Sequence, residues 1–85
     1  MLNGIVGIDV AKKDLSITII INDQNYYCNI SNDEQGFEGF SKWLKTHKIQ
    51  KIKACMEATG RYSLDFANYL FSQKHEVSIV NPTEL

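Results

Sequence analysis

The sequence predicts an α/β fold on a mixed five-stranded sheet, and three observations carry that expectation. Short runs rich in β-branched residues recur along the chain. Two longer segments between them repeat apolar residues at three- and four-residue spacing. The elements follow the order βββαβαβ, in which strands flanking a helix lie parallel with a right-handed crossover. A sheet of order 3-2-1-4-5 with flanking helices satisfies every connection and makes the first and fourth strands parallel neighbours.

Taken in order, residues 4–10 (GIVGIDV) are too brief for a helix and form the first strand. Leu15 to Ile21 (LSITIII) form the second, and Asn22-Asp23-Gln24-Asn25 turn the chain into a third, Tyr26 to Ile30. Ser31 to Glu34 has the S-x-x-E form of a capping box, after which Phe37, Phe40 and Leu44 mark one face of a helix of about three to four turns. Ile52 to Glu57 (IKACME) is the fourth strand, broken by Thr59-Gly60. A second helix runs from about Tyr62 to Gln73 with Phe66, Ala67, Leu70 and Phe71 as its buried stripe, and Glu76 to Val80 is the fifth strand before Asn81-Pro82.

Bulk properties narrow the function. With 85 residues, 44% hydrophobic and 22% charged, the chain is expected to be one folded domain, 1–85, with a small core. A formal charge of -1 supplies no global positive field, so a nucleic-acid partner must be argued from local chemistry. Asp9 interrupts the only early apolar run, no signal-peptide pattern is present, and no stretch approaches the roughly 20 apolar residues of a membrane span. Cys28 and Cys55 have neither C-x-x-C spacing nor a neighbouring His, so both are expected to be reduced, buried thiols of a cytoplasmic protein. His47 and His75 are expected on the surface near helix ends, without metal-ligand spacing.

Asp9 and Glu57 need explaining. Each carboxylate ends an otherwise apolar strand, where burial of the ionised form requires compensation. The expected sheet order sets the two side by side, and like charges that close raise each other's pKa unless a cation sits between them. A divalent ion is the economical solution, because Mg²⁺ takes one or two carboxylates and keeps water and phosphate oxygens in its other positions. Against this, a single Asp at a strand end is ordinarily a turn or cap residue.

Lys12 and Lys13 follow Asp9 in the next loop, and Thr59, Gly60, Arg61 and Tyr62 follow Glu57 into the second helix. Lys12, Lys13, Thr59 and Arg61 are the candidate nucleic-acid contacts: the helix start offers free N–H groups to a phosphate and Arg61 a bidentate grip. The plainer alternative is a solvated lysine pair, a glycine that permits the turn and a Tyr62 packed on the sheet. Lys42, Lys45, Lys48, Lys51 and Lys53 lie toward the opposite end and read as a solvated face.

GIDVAKKDLSI at residues 7–17, MEATGRY at 56–62 and VNP at 80–82 closely resemble the insertion sequence 110 family of DEDD transposases, which is related to the Piv invertase. The resemblance covers essentially the whole chain. It implies a RuvC-like, ribonuclease-H-like catalytic domain, with Asp9 and Glu57 as the first two acids of the DEDD set holding Mg²⁺ or Mn²⁺. It also implies that the third and fourth acids and a serine-bearing domain belong to later segments, so that these 85 residues alone would be inactive, with metal binding weak or absent. DNA and an element-encoded RNA are the implied partners of the full-length protein, and a homo-oligomer is expected through an unpaired sheet edge or exposed helical face. Two other functions stay open: a non-catalytic interaction domain of the same fold, and an ATP-binding domain of the actin and sugar-kinase type. The latter follows its strand-ending Asp with small or hydroxyl residues, where this chain has Ala11-Lys12-Lys13-Asp14.

Overall fold

The computed structural model describes residues 2–57 and 60–80. Five strands, β1 (Leu2–Val10), β2 (Asp14–Ile21), β3 (Gln24–Ser31), β4 (Ile49–Glu57) and β5 (Glu76–Val80), form one sheet of order β3-β2-β1-β4-β5. Helices α1 (Glu34–Thr46) and α2 (Leu64–Ser72) fill the two crossovers, and a 3₁₀ turn at Gly60–Ser63 leads into α2. β1 pairs antiparallel with β2 and parallel with β4, and β4 pairs parallel with β5. The expected topology is therefore the observed one.

Side-chain alternation fixes the layers. Val6 and Ile8 of β1, Leu15, Ile17, Ile19 and Ile21 of β2, and Ile52, Ala54 and Met56 of β4 are buried on one face. Phe37, Phe40 and Leu44 of α1 and Phe66, Ala67 and Leu70 of α2 close the same core. Phe66 is its centre, with ring centroids 5.0 Å from Phe37 and 5.7 Å from Phe40. Between the helices the hydroxyls of Ser41 and Tyr69 lie 2.6 Å apart. Both helices thus cover one face, and the other is open. Phe71, expected in the buried stripe of α2, is 68% exposed. It lies one position beyond Leu70, about 100° round the helix and off the packed face.

The connections differ from expectation in instructive ways. Ile21 pairs with Gln24, so the β2–β3 turn is the two residues Asn22 and Asp23, with φ of 50° and 66°. Positive φ at both positions is the type I′ hairpin geometry, which Asn and Asp tolerate. The cap of α1 is Asp33, whose carboxylate accepts from the Gly36 N–H at 2.9 Å and from the Ser31 hydroxyl at 2.8 Å. These two bonds hold the Asp33 carboxyl below its usual pKa. The expected Ser31 capping box is therefore replaced by a cap two residues later, with Ser31 supporting it. β4 starts at Ile49, three residues earlier than its apolar run suggests. Leu2 pairs with Ile49 and Asn3 with Lys51, so the register skips Gln50 and the alternation that marks a strand is interrupted there.

Helix α2 ends in a Schellman motif: His75 N–H donates to Leu70 O and Lys74 N–H to Phe71 O, with Lys74 at φ 68°. This turn carries His75 inward, contrary to the expected surface position, because its Nδ1 accepts the Ile52 backbone N–H at 3.1 Å. Burial, then the nearby Lys51 charge, lowers the His75 pKa below the ordinary imidazole value. Cys55 also departs from expectation, since it faces the open side and is exposed, while burial raises the pKa of the half-buried Cys28.

Two predictions follow from this packing. A methyl group on Gly36 would overlap the Ser31 carbonyl, whereas one on Gly39 would meet nothing. Gly36→Ala should cost about 3 kcal/mol by overpacking and Gly39→Ala should gain about 1 kcal/mol from helix propensity, as read by urea unfolding. Because the folded-state pKa of His75 is depressed, its contribution is fully present above the unfolded value of about 6.5 and is lost as pH falls through the folded value. Denaturant midpoints should fall between pH 7.5 and pH 5 in the native chain, and that part of the fall should disappear in His75→Phe.

Candidate active site

The β1–β4 register runs Gly7 to Cys55 and Ile8 to Met56, so the next residues, Asp9 and Glu57, come abreast at the carboxyl ends of two parallel strands. Neighbouring strands lie about 4.8 Å apart, within what two carboxylates need to share metal ions about 4 Å apart. Both line one cleft of about 720 Å³ on the open face, together with Gly7, Ser16, Thr18, Cys55 and Val80. Asp9 is exposed there, which corrects the expectation that its strand buries it. Odd positions of β1 face outward, so the pairing of the acids, rather than a desolvation penalty, is what invites a cation.

A row that is polar from β3 to β4 crosses the sheet at this level and ends at the apolar Val80 of β5. Asn29 of β3 pairs with Ser16 of β2, Ser16 with Asp9, and Glu57 with Val80 of β5. The Asn29 amide donates to the Ser16 hydroxyl oxygen at 3.1 Å, leaving the hydroxyl proton to be donated elsewhere. The donor set of the cleft, two carboxylates with a hydroxyl beside them, consists of hard oxygens suited to Mg²⁺ or Mn²⁺. Among the described residues no cluster of three or more His, Cys, Asp or Glu side chains could hold a metal ion by itself. The pair therefore fits as part of a coordination shell.

A second cleft, of about 290 Å³, opens on the helix side of the same sheet end, lined by Lys12, Asn32, Arg61, Tyr62, Leu64 and Asp65. It brings together two of the expected nucleic-acid contacts, Lys12 and Arg61. Lys13 is exposed outside it, and Thr59 lies outside the described residues. Tyr62 is 39% exposed and lines this cleft. Ser16 and Asn32 were not singled out in the sequence. Ser16 shows only as a polar position of an alternating strand, and Asn32 as one polar residue in a turn.

In solved structures the same architecture recurs. RuvC of T. thermophilus in complex with a Holliday junction substrate aligns over 95% of this chain and 66% of its own, with TM-score 0.61 at 10% identity. YeaZ from Pseudomonas aeruginosa aligns over 92% and 44%, with TM-score 0.57 at 8% identity. An exopolyphosphatase from Cytophaga hutchinsonii aligns over 98% and 35%, with TM-score 0.55 at 13% identity. These likenesses establish a ribonuclease-H-like fold that serves unrelated chemistries. Sequence separates them. A family model for DEDD transposases of insertion sequence 110, described as transposase, matches residues 6–85, and the chain belongs to that family. The pilin gene-inverting proteins of Moraxella bovis and Moraxella lacunata are each 34% identical to it over 79 residues, 91% of this chain. The chain spans 24% of the length of these relatives. No helix among the described residues is long and apolar enough to cross a membrane.

Gly7 marks the cleft floor, with open space where a Cβ would stand. Glycine weakens a strand interior by roughly 0.5–1 kcal/mol, so Gly7→Val should raise stability by about that amount in thermal unfolding. A loss of stability would mean that the glycine serves the fold rather than access to the cleft.

Proposed function

We propose that residues 1–85 are the amino-terminal part of a RuvC-like catalytic domain in a recombinase that cuts and joins DNA strands with divalent metal. The observation that carries this proposal is the register that sets Asp9 beside Glu57 at the carboxyl edge of the sheet. The cleft around them is open on one side, as a site for a long polymer must be.

Asp9 and Glu57 would hold Mg²⁺ or Mn²⁺, and the bound ions would polarise a phosphodiester and stabilise its leaving oxygen. Ser16 and Asn29 orient the polar row beside Asp9. Gly7 and Thr18 keep the cleft floor low, so a strand can approach the carboxylates. Lys12 and Arg61 meet sugar-phosphate backbone at the same end of the sheet, with Lys13 and Thr59 as further contacts. These are local cations on a chain of net charge -1, so the proposed contact rests on this edge rather than on a global positive field.

The gene-inverting relatives and the transposase family support a reaction on DNA, and a guiding RNA is added to the proposal as a partner of the full-length protein. Two carboxylates are too few to fix a pair of metal ions in place, so further acids would come from other segments of a longer protein working in the cytoplasm, and the family resemblance adds a serine-bearing domain to that reading. Self-association through the β3 or β5 edge, or through the exposed Leu64 and Phe71 of α2, completes the proposal.

Mn²⁺ titration followed by paramagnetic broadening should perturb amides around Asp9 and Glu57 weakly, and Asp9→Asn or Glu57→Gln should remove the effect. The 85-residue chain should cut no DNA. Broadening absent from this cleft would favour an interaction domain, and cleavage abolished by Asp9→Ala would show that these residues complete a site unaided. Light scattering should show a dimer or larger species; a strict monomer at high concentration would remove self-association while leaving the site untouched.

A further inference from the structure

Asn32, between β3 and α1, joins two loops remote in sequence. Its Nδ2 donates to Ala11 O at 3.0 Å, in the loop after Asp9, and to Tyr62 O at 3.0 Å, in the turn that follows Glu57. Its backbone N–H donates to Lys13 O at 2.9 Å. The amide orientation is fixed, since turning it over would set its oxygen against two carbonyls. Oδ1 is buried and has no hydrogen-bond partner among the described residues. A buried acceptor left unpaired costs stability, so this side chain is poorly accounted for as a device for stability. What it does is hold two loops in one position, and each of those loops carries a cation, Lys12 and Arg61, into the same cleft.

We infer that Asn32 is a positioning residue that fixes Lys12 and Arg61 as one two-pronged clamp on the sugar-phosphate backbone of DNA. The inference rests on the nucleic-acid proposal above. Two cations on loops that move independently bind one strand as separate weak contacts, whereas cations at a fixed separation bind it jointly, the second contact being made at high effective concentration. Asn32 touches no reacting group. It acts through the loops, which leave the same sheet end as Asp9 and Glu57, so the clamp also sets where the strand meets the acids.

The test uses a fluorescein-labelled DNA duplex and anisotropy titrations of the 85-residue chain. Lys12→Ala, Arg61→Ala and the double variant form a mutant cycle, repeated in the Asn32→Ala and Asn32→Leu backgrounds. Asn32→Leu keeps the branched shape and removes the unpaired acceptor together with the two donated bonds, and urea unfolding of each Asn32 variant sets the conditions under which it is titrated fully folded. Lys12 and Arg61 should be coupled in the native background. Both Asn32 variants should weaken binding about fivefold, erase the coupling and flatten the dependence of log affinity on log salt by about one contact. A purely structural role would move stability and leave the cycle and salt slope of the folded variant unchanged, and that result would overturn the inference while the nucleic-acid proposal stands. Binding by the native chain that is indifferent to both Lys12 and Arg61 would overturn the nucleic-acid contact itself, and the clamp with it.

Discussion

One face of the sheet buries nearly all of the large aliphatic side chains of β1, β2 and β4, and both helices are committed to covering it. That one-sidedness is the constraint from which the site follows. With the apolar residues drawn to one side, the alternate positions are free to be small or charged, and Gly7, Asp9, Ser16, Thr18, Cys55 and Glu57 occupy them. A carboxylate in this setting stays hydrated, which lets two of them stand abreast without the penalty that burial would exact. Ile5 and Ile20, paired on the open face at 58% and 42% exposure, are the apolar exceptions in β1 and β2, and they lie away from the acids.

Much of this was legible in the sequence because it depends on periodicity and connection rules. LSITIII alternates, Phe37, Phe40 and Leu44 recur at helical spacing, and a strand-helix-strand order leaves little freedom in how β4 joins β1. The juxtaposition of Asp9 and Glu57 came from topology alone. The layer assignment did not, because an isolated Asp in an apolar run reads as buried until the facing of the strand is known. The same ambiguity misplaced Cys55, whose neighbours Ala54 and Met56 are buried while it is not.

What stayed hidden was polar bonding between segments far apart in the chain. No local pattern announces that Asn32 reaches both Ala11 and Tyr62, or that His75 turns inward to meet the Ile52 N–H. The start of β4 was obscured for a different reason, since a skipped residue at Gln50 breaks the alternation by which strands are recognised. Asp33 outcompetes Ser31 as the cap because β3 extends through Ser31, which leaves only Asn32 between the strand and the capping residue. Each of these is decided by where backbone groups lie unpaired after the strands have formed.

The parallel pairing of β1 with β4 also sets an order of events during folding. The β2–β3 hairpin closes through a two-residue turn and needs only neighbours in sequence, as such hairpins do within microseconds. Asp9 and Glu57 meet only after the hairpin and all of α1 have been bridged, a closure of high contact order that forms late. The two halves of the site are therefore strangers in the nascent chain. Until β4 docks, each carboxylate is an ordinary solvated side chain, and any affinity for a divalent ion comes into being with the native sheet.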